Sequence, residues 1–67
     1  MFDKNKFNAM LLNKSVTKED LAKYLGIDIS TLYRLIKNNG NFNATQIRMM
    51  IDFFGREAVL GCLFYYE

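Results

Sequence analysis

The side chains that could do chemistry in this 67-residue chain are hydroxyl, amide and basic groups, and the informative stretch is residues 18–37. The chain has no His and a single Cys, so Cys–His and Ser–His nucleophile pairs and imidazole-dependent zinc sites cannot be built. Cys62 lies in the apolar run 59–64, where we expect a buried, inert thiol. We therefore predict non-covalent recognition: no enzyme, no metal, no cofactor and no small-molecule substrate.

Residues 18–37 combine a small residue with a flexible one at a spacing of four, Ala22 and Gly26. The small side chain lets two helices approach closely, and glycine accepts the positive φ of a sharp turn. The apolar residues that would hold the helices together are Leu21, Leu25, Ile27, Leu32 and Leu35. This pattern predicts a helix-turn-helix over about residues 18–37. It leaves a polar set facing outward: Ser30, Thr31, Tyr33, Arg34 and Lys37.

Two helices are expected before Gly26, separated by a break at 13–16. The first starts near Asp3 and carries an apolar stripe at i, i+3 and i+4, namely Phe7, Met10 and Leu11. Thr17 is the predicted cap of the second helix. Glu19 and Asp20 then occupy its first turn, where the helix dipole favours negative charge.

Two further helices are expected after Gly26. The third has Asp28 as its predicted cap, turns Leu32, Leu35 and Ile36 inward, and ends in the turn-forming residues 38–41. The fourth starts with a capping-box variant of Asn43 and Gln46 and ends at Gly55. Its apolar stripe is Ile47, Met50, Ile51 and Phe54. Residues 56–67 fit a helix or a strand, and we favour a short helix followed by an extended tail. The predicted fold is thus all-α: one compact domain, residues 1–67, of four to five helices.

The net charge of +2 is unevenly distributed, with +4 over residues 1–48 and −2 over residues 49–67. A basic N-terminal part and a mildly acidic C-terminal part are compatible with a surface that faces phosphates. The polar residues 1–6 lead into no long apolar stretch, so we expect neither a signal peptide nor a membrane span. One unpaired cysteine fits a reducing compartment, and we predict a cytoplasmic location.

The run from Leu21 to Arg34, LAKYLGIDISTLYR, resembles the phage lambda repressor and Cro family of regulators. The similarity covers roughly residues 4–55 and is greatest to short members encoded by phages and prophages. It implies a lambda-repressor-like bundle and a Cro-like transcriptional regulator in a bacterial or phage-infected cytoplasm. Such a protein binds a double-stranded DNA operator as a homodimer, with its third helix in the major groove.

The resemblance also implies contact residues. The family's base-reading positions fall on Ile29, Ser30, Tyr33 and Arg34. Phosphate contacts fall on Lys18, Lys37, Asn39, Asn41 and Asn43, whereas Ala22 and Gly26 are structural and touch no ligand. Ile29 departs from the pattern, because the family usually has a polar base-contacting residue such as Gln at this position. An isoleucine can touch a thymine methyl group but cannot form a bidentate hydrogen bond.

The C-terminal segment 56–67 is a candidate dimer contact, because family members often use it in this way. Its aromatic residues Phe64, Tyr65 and Tyr66, together with Phe53, exceed what a core of short helices needs. One alternative function stays open. The modest charge and Ile29 also fit a protein–protein interaction module, an antirepressor or adaptor that keeps the fold without specific DNA binding.

Overall fold

Five α-helices follow one another through residues 2–63, the part of the chain that this computed structural model describes. They are α1 (Lys4–Asn13), α2 (Lys18–Leu25), α3 (Ile29–Lys37), α4 (Ala44–Phe54) and α5 (Arg56–Leu63). Residues 2–63 contain no strand, which confirms the all-α prediction and gives the C-terminal region its fifth helix. The extended tail expected beyond that helix lies outside the described residues.

The helices are short, and α4 with 11 residues is the longest of them. A helix needs about 20 apolar residues to cross a bilayer. Between residues 2 and 63, none has the length and apolar character for that.

Reciprocal capping boxes start both α2 and α4. The sequence predicts the box at Asn43, whereas at Thr17 it predicts the cap alone. The Thr17 hydroxyl accepts from the Asp20 amide and the Asp20 carboxylate accepts from the Thr17 amide, both at 3.1 Å. The Asn43 side chain accepts from the Gln46 amide at 2.8 Å, and the Gln46 side chain accepts from the Asn43 amide at 2.9 Å. Each box satisfies two backbone N–H groups that a helix start otherwise leaves unpaired.

The N-cap positions of α1 and α3 are both aspartates, but only one of them caps through its side chain. The Asp3 carboxylate accepts from the Lys6 amide at 3.0 Å. Asp28 occupies the N-cap position of α3, as expected, yet its side chain makes no capping hydrogen bond. The predicted start of α3 is therefore right in position, while the expected side-chain cap is absent.

The core is drawn from all five helices and from the loop between α3 and α4. The helix pairs with the most extensive packing are α1–α5, α4–α5 and α2–α3. The buried side chains are Phe7, Met10, Leu11, Leu21, Ala22, Leu25, Leu32, Phe42, Met50, Phe54, Val59, Cys62 and Leu63. Residues expected to face inward but only partly buried at its edge are Leu35, Ile36, Ile47 and Ile51. Among the described residues no polar or charged side chain is buried, so apolar burial is the main stabilising term.

Cys62 is fully buried in α5, as the apolar run around it predicts. Burial raises the pKa of its thiol to about 11, because a thiolate would lose its hydration there. The thiol donates to the Val59 carbonyl oxygen at 3.4 Å. The thiol is therefore protonated at neutral pH and serves as a small apolar side chain.

Candidate nucleic-acid interface

A turn of three residues, 26–28, joins α2 to α3. Gly26 adopts the left-handed conformation, with φ of +73° and ψ of +32°, and its amide donates to the Lys23 carbonyl at 3.1 Å. The next amide, of Ile27, donates to the Ala22 carbonyl at 3.0 Å. Ala22 is buried, so its small side chain lies within the packing of α2 rather than at the surface. The turn is thus closed by local backbone bonds around one left-handed glycine.

One face of α3 is polar and exposed. Ser30, Tyr33, Arg34 and Lys37 follow a spacing of i, i+3, i+4 and i+7, which puts them on one side of a helix. All four are exposed, and Tyr33 keeps 55% of its surface accessible. We call these four residues the α3 outer face. The opposite side carries the fully buried Leu32, which anchors α3 to the core.

Two candidate residues of α3 are less accessible than the sequence predicts. Thr31 is half-buried, although the helical pattern predicts that its polar side chain faces outward. Ile29 is half-buried and packs against the core. It also lines a shallow groove of about 330 Å³ between α2 and α3, together with Glu19, Lys23 and Asp28. In the first turn of α3, the apolar side chain of Ile29 is therefore partly exposed and partly packed against the core.

The candidate phosphate contacts lie on three elements. Lys18 is half-buried in the first turn of α2, and Lys37 is exposed at the last residue of α3. Asn39, Asn41 and Asn43 are exposed in the following loop. The Asn43 oxygen is already engaged in the capping box of α4, so the group it can still offer is its amide Nδ2–H₂.

The loop after α3 has a defined backbone, although its sequence is mostly asparagine. Asn39 and Gly40 both adopt left-handed φ values, +62° and +66°. The Gly40 amide donates to the Leu35 carbonyl at 2.9 Å, and the Phe42 amide donates to the Gly40 carbonyl at 2.7 Å. Phe42 is buried and anchors the loop in the core. The burial of Phe42 was not predicted from the sequence. The feature that could have indicated it is one large apolar residue among polar neighbours.

The charges around α3 are unevenly placed, with the acidic residues Glu19 and Asp28 beside its first turn. The helix itself carries Arg34 and Lys37 and no acidic residue. Both cations lie in its last turn, where the helix dipole stabilises positive charge. Asp28, at the opposite end, is the nearest acidic residue in the sequence. The basic end of α3 leads directly into the asparagine loop, so cationic and amide donors follow one another along the chain.

A second exposed surface is aromatic. Tyr24 of α2 and Phe53 of α4 are 41% and 42% exposed, with ring centroids 5.2 Å apart. Phe53 also contacts Phe54 edge-on at 4.8 Å. We call Tyr24 and Phe53 the aromatic patch. The sequence groups Phe53 with the tail aromatics Phe64, Tyr65 and Tyr66, but those three predicted dimer contacts lie outside the described residues.

The described chain therefore presents a basic and amide-rich face on α3 with its following loop, and a separate pair of exposed rings. Comparisons with protein-family models, with curated proteins and with solved structures found no match, so the case for a function rests on this geometry.

Proposed function

We propose that this protein is a sequence-specific DNA-binding regulator of the lambda repressor and Cro type, with α2 and α3 as its helix-turn-helix. In this proposal α3 enters the major groove of an operator and a homodimer occupies two half-sites. The observation that carries it is the α3 outer face: four exposed hydrogen-bonding or basic side chains on one side of a helix anchored from behind by Leu32.

The shape of the α2–α3 pair supports this assignment. A recognition helix must project its polar side outward while a neighbouring helix holds its other side. A short turn with a left-handed glycine and a buried alanine provides that arrangement here. Arg34 is the strongest candidate for base reading, because a guanidinium can bond both the O6 and N7 atoms of guanine.

Two features set the sequence preference we expect. Ile29 offers only apolar surface, which fits contact with a thymine methyl group. Ser30 can donate to or accept from either partner of a base pair, so it adds little discrimination. The preferred half-site should therefore contain a guanine for Arg34 and a thymine for Ile29. In a homodimer the half-sites would be about 34 Å apart, roughly 10 base pairs.

The proposal is tested by selecting bound duplexes from a random library and measuring binding to the selected site by fluorescence anisotropy. We expect a two-fold site and an affinity that falls steeply with salt, since each neutralised phosphate contributes a slope of about −0.9 in log–log form. Arg34→Ala should remove about 1–3 kcal/mol of discrimination between selected and random DNA.

Arg48→Ala is the matched control, because Arg48 is also exposed but lies on α4, outside the candidate contacts. Both variants lose one positive charge, so both weaken non-specific binding, and only Arg34→Ala should lose specificity. Equal loss of specificity in the two variants would remove Arg34 from the base-reading set. Failure to enrich any duplex would reject the regulator.

The aromatic patch favours a second candidate function, a protein–protein interaction module. Two neighbouring rings that are more than two-fifths exposed are the kind of apolar surface that partners cover. Binding through this patch would be weakened by Phe53→Ala and would change little with salt. Binding through the α3 outer face has the opposite pattern: it is weakened by Arg34→Ala and depends steeply on salt.

A further inference from the structure

Gly40, in the loop after α3, lies close to two distant parts of the chain, the segment before α1 and the end of α5. A Cβ atom added there would lie 2.8 Å from Cγ of Phe2 and 2.9 Å from Cδ2 of Leu63. At Gly26, Gly55 and Gly61 an added Cβ would meet nothing within 4 Å. Two features disfavour any larger residue at position 40: its positive φ, and the side chains that occupy the place of a Cβ atom. We call Phe2, Gly40 and Leu63 the Gly40 clasp.

Neighbouring bonds hold Phe2 in this place. The amide of Asp3 donates to the Cys62 carbonyl at 2.8 Å, which ties the segment before α1 to the end of α5. The Asp3 carboxylate also caps α1, so the residue after Phe2 is held at its backbone and at its side chain. The Phe2 ring is half-buried against Phe7, with centroids 5.4 Å apart.

Phe7, which contacts Phe2, also contacts the loop at a second position. Phe7 is fully buried and stacks with Phe42 at 6.0 Å, and Phe42 is the residue that ends the left-handed turn. Phe2 therefore covers the loop at Gly40, while Phe7 holds it two residues later. Asn41, between these two anchors, is exposed. A loop held on both sides of a residue presents that residue in a restricted set of orientations.

We propose that Phe2 is a positioning residue: by closing over Gly40 it holds the 39–43 loop in the conformation that presents Asn39 and Asn41 to the DNA backbone. The DNA part of this inference rests on the proposed function, whereas the clasp itself does not. Phe2 touches no nucleic acid in this scheme. It acts through Gly40, and its effect is to lower the conformational cost that the loop would otherwise meet on binding.

The test measures the loop and DNA binding separately in the full chain. Phe2→Ala should raise amide hydrogen exchange about tenfold at Gly40 and Phe42, whose N–H groups form the loop's internal bonds, because the loop opens locally. The Ile27 amide, bonded within the α2–α3 turn, serves as the internal reference and should stay within about twofold. Binding to a selected duplex should weaken, and its salt slope should flatten by about 0.9 for each phosphate that the loop no longer engages.

Two further variants control for the removal of apolar surface. Phe2→Leu keeps a large apolar side chain over Gly40 and should restore most of the protection and the salt slope. Leu12→Ala removes a side chain that is 77% exposed and should change neither readout.

Each outcome decides the proposal. Faster exchange confined to Gly40 and Phe42, together with a flatter salt slope, supports it. Equal acceleration at Ile27, unchanged exchange in the loop, or an open loop with unchanged DNA binding would each overturn it. If the wild-type chain binds no duplex, the regulator and the positioning role both fail, and amide exchange alone then decides whether the clasp orders the loop.

Discussion

The phenolic hydroxyl of Tyr24 on α2 donates to the backbone carbonyl of Met49 on α4, at 3.0 Å. The most extensive packing in the molecule is within α2–α3 on one hand and among α1, α4 and α5 on the other. The bond from Tyr24 crosses between these two groups of helices. It therefore helps to set the orientation of the helix pair that carries the α3 outer face.

Tyr24→Phe should lower the free energy of unfolding by about 0.5–1.5 kcal/mol, since it removes one hydrogen bond and keeps the ring beside Phe53. The decrease should fall at the lower end, because Tyr24 is partly exposed and water can satisfy the freed carbonyl. Urea denaturation followed by circular dichroism measures it. Tyr33→Phe is the control: Tyr33 is exposed, and its change should stay within about 0.5 kcal/mol. Equal decreases would mean that the Tyr24 bond contributes nothing.

Gly26→Ala and Gly61→Ala should change stability in opposite directions. An added Cβ meets no atom within 4 Å at either position, so the backbone alone decides the sign. At Gly26 the φ of +73° makes any side chain unfavourable, by about 1–2 kcal/mol. Gly61 lies inside α5, where alanine should stabilise the helix by about 0.5–1 kcal/mol.

The two glycine variants are compared by their thermal or urea midpoints. Gly26→Val should be at least as damaging as Gly26→Ala, because a β-branched side chain is still less tolerant of positive φ. A higher midpoint for Gly26→Ala would contradict the left-handed φ at Gly26, and a lower midpoint for Gly61→Ala would contradict the gain expected inside α5.

The capping box of α2 should weaken in acid. The backbone amide and then the hydroxyl of Thr17, by hydrogen bonding to the carboxylate, hold the pKa of Asp20 below its ordinary value. Because the pKa of Asp20 is lower in the folded protein, the stabilisation by its carboxylate is present above the unfolded pKa. It is lost as pH falls through the folded pKa. An NMR titration of the Asp20 carboxyl and the Thr17 amide should show both changing together. In Asp20→Asn the acid transition of the Thr17 amide should vanish, and its persistence would point to another group.

Cys62 should resist thiol reagents until the protein unfolds. Burial raises its folded pKa to about 11, while an unfolded cysteine has a pKa of about 8.5. The pKa of Cys62 is higher in the folded than in the unfolded protein. The thiol's contribution to the free energy of unfolding is therefore fully present below the unfolded pKa and declines as pH rises toward the folded pKa. Labelling with a chromogenic disulfide at about pH 8, near that unfolded value, should be slow in buffer and fast in urea. Comparably fast labelling in both would contradict the burial of this thiol.

Features that depend on residues within about four positions of each other could be predicted from the sequence. The cap at Thr17, the capping box at Asn43 and the left-handed turn at Gly26 are of this kind, because a cap or a positive φ is decided by neighbouring residues. The exposed positions of Ser30 and Arg34 follow from the helical period alone. Thr31 lies at the border between the two sides of α3, where the period does not distinguish exposure from partial burial.

The amino-acid pattern thus determined where α1 to α4 begin and end, and which polar side chains α3 turns outward. These features depend on local geometry and on the burial of one apolar stripe. Only the tertiary structure decided that Phe2 closes over Gly40, that Asp3 bonds to the end of α5, and that Tyr24 reaches Met49. Such contacts join segments far apart along the chain. The first two form because α5 returns alongside α1, and the third forms where α2 meets α4. No spacing of nearby residues specifies that packing.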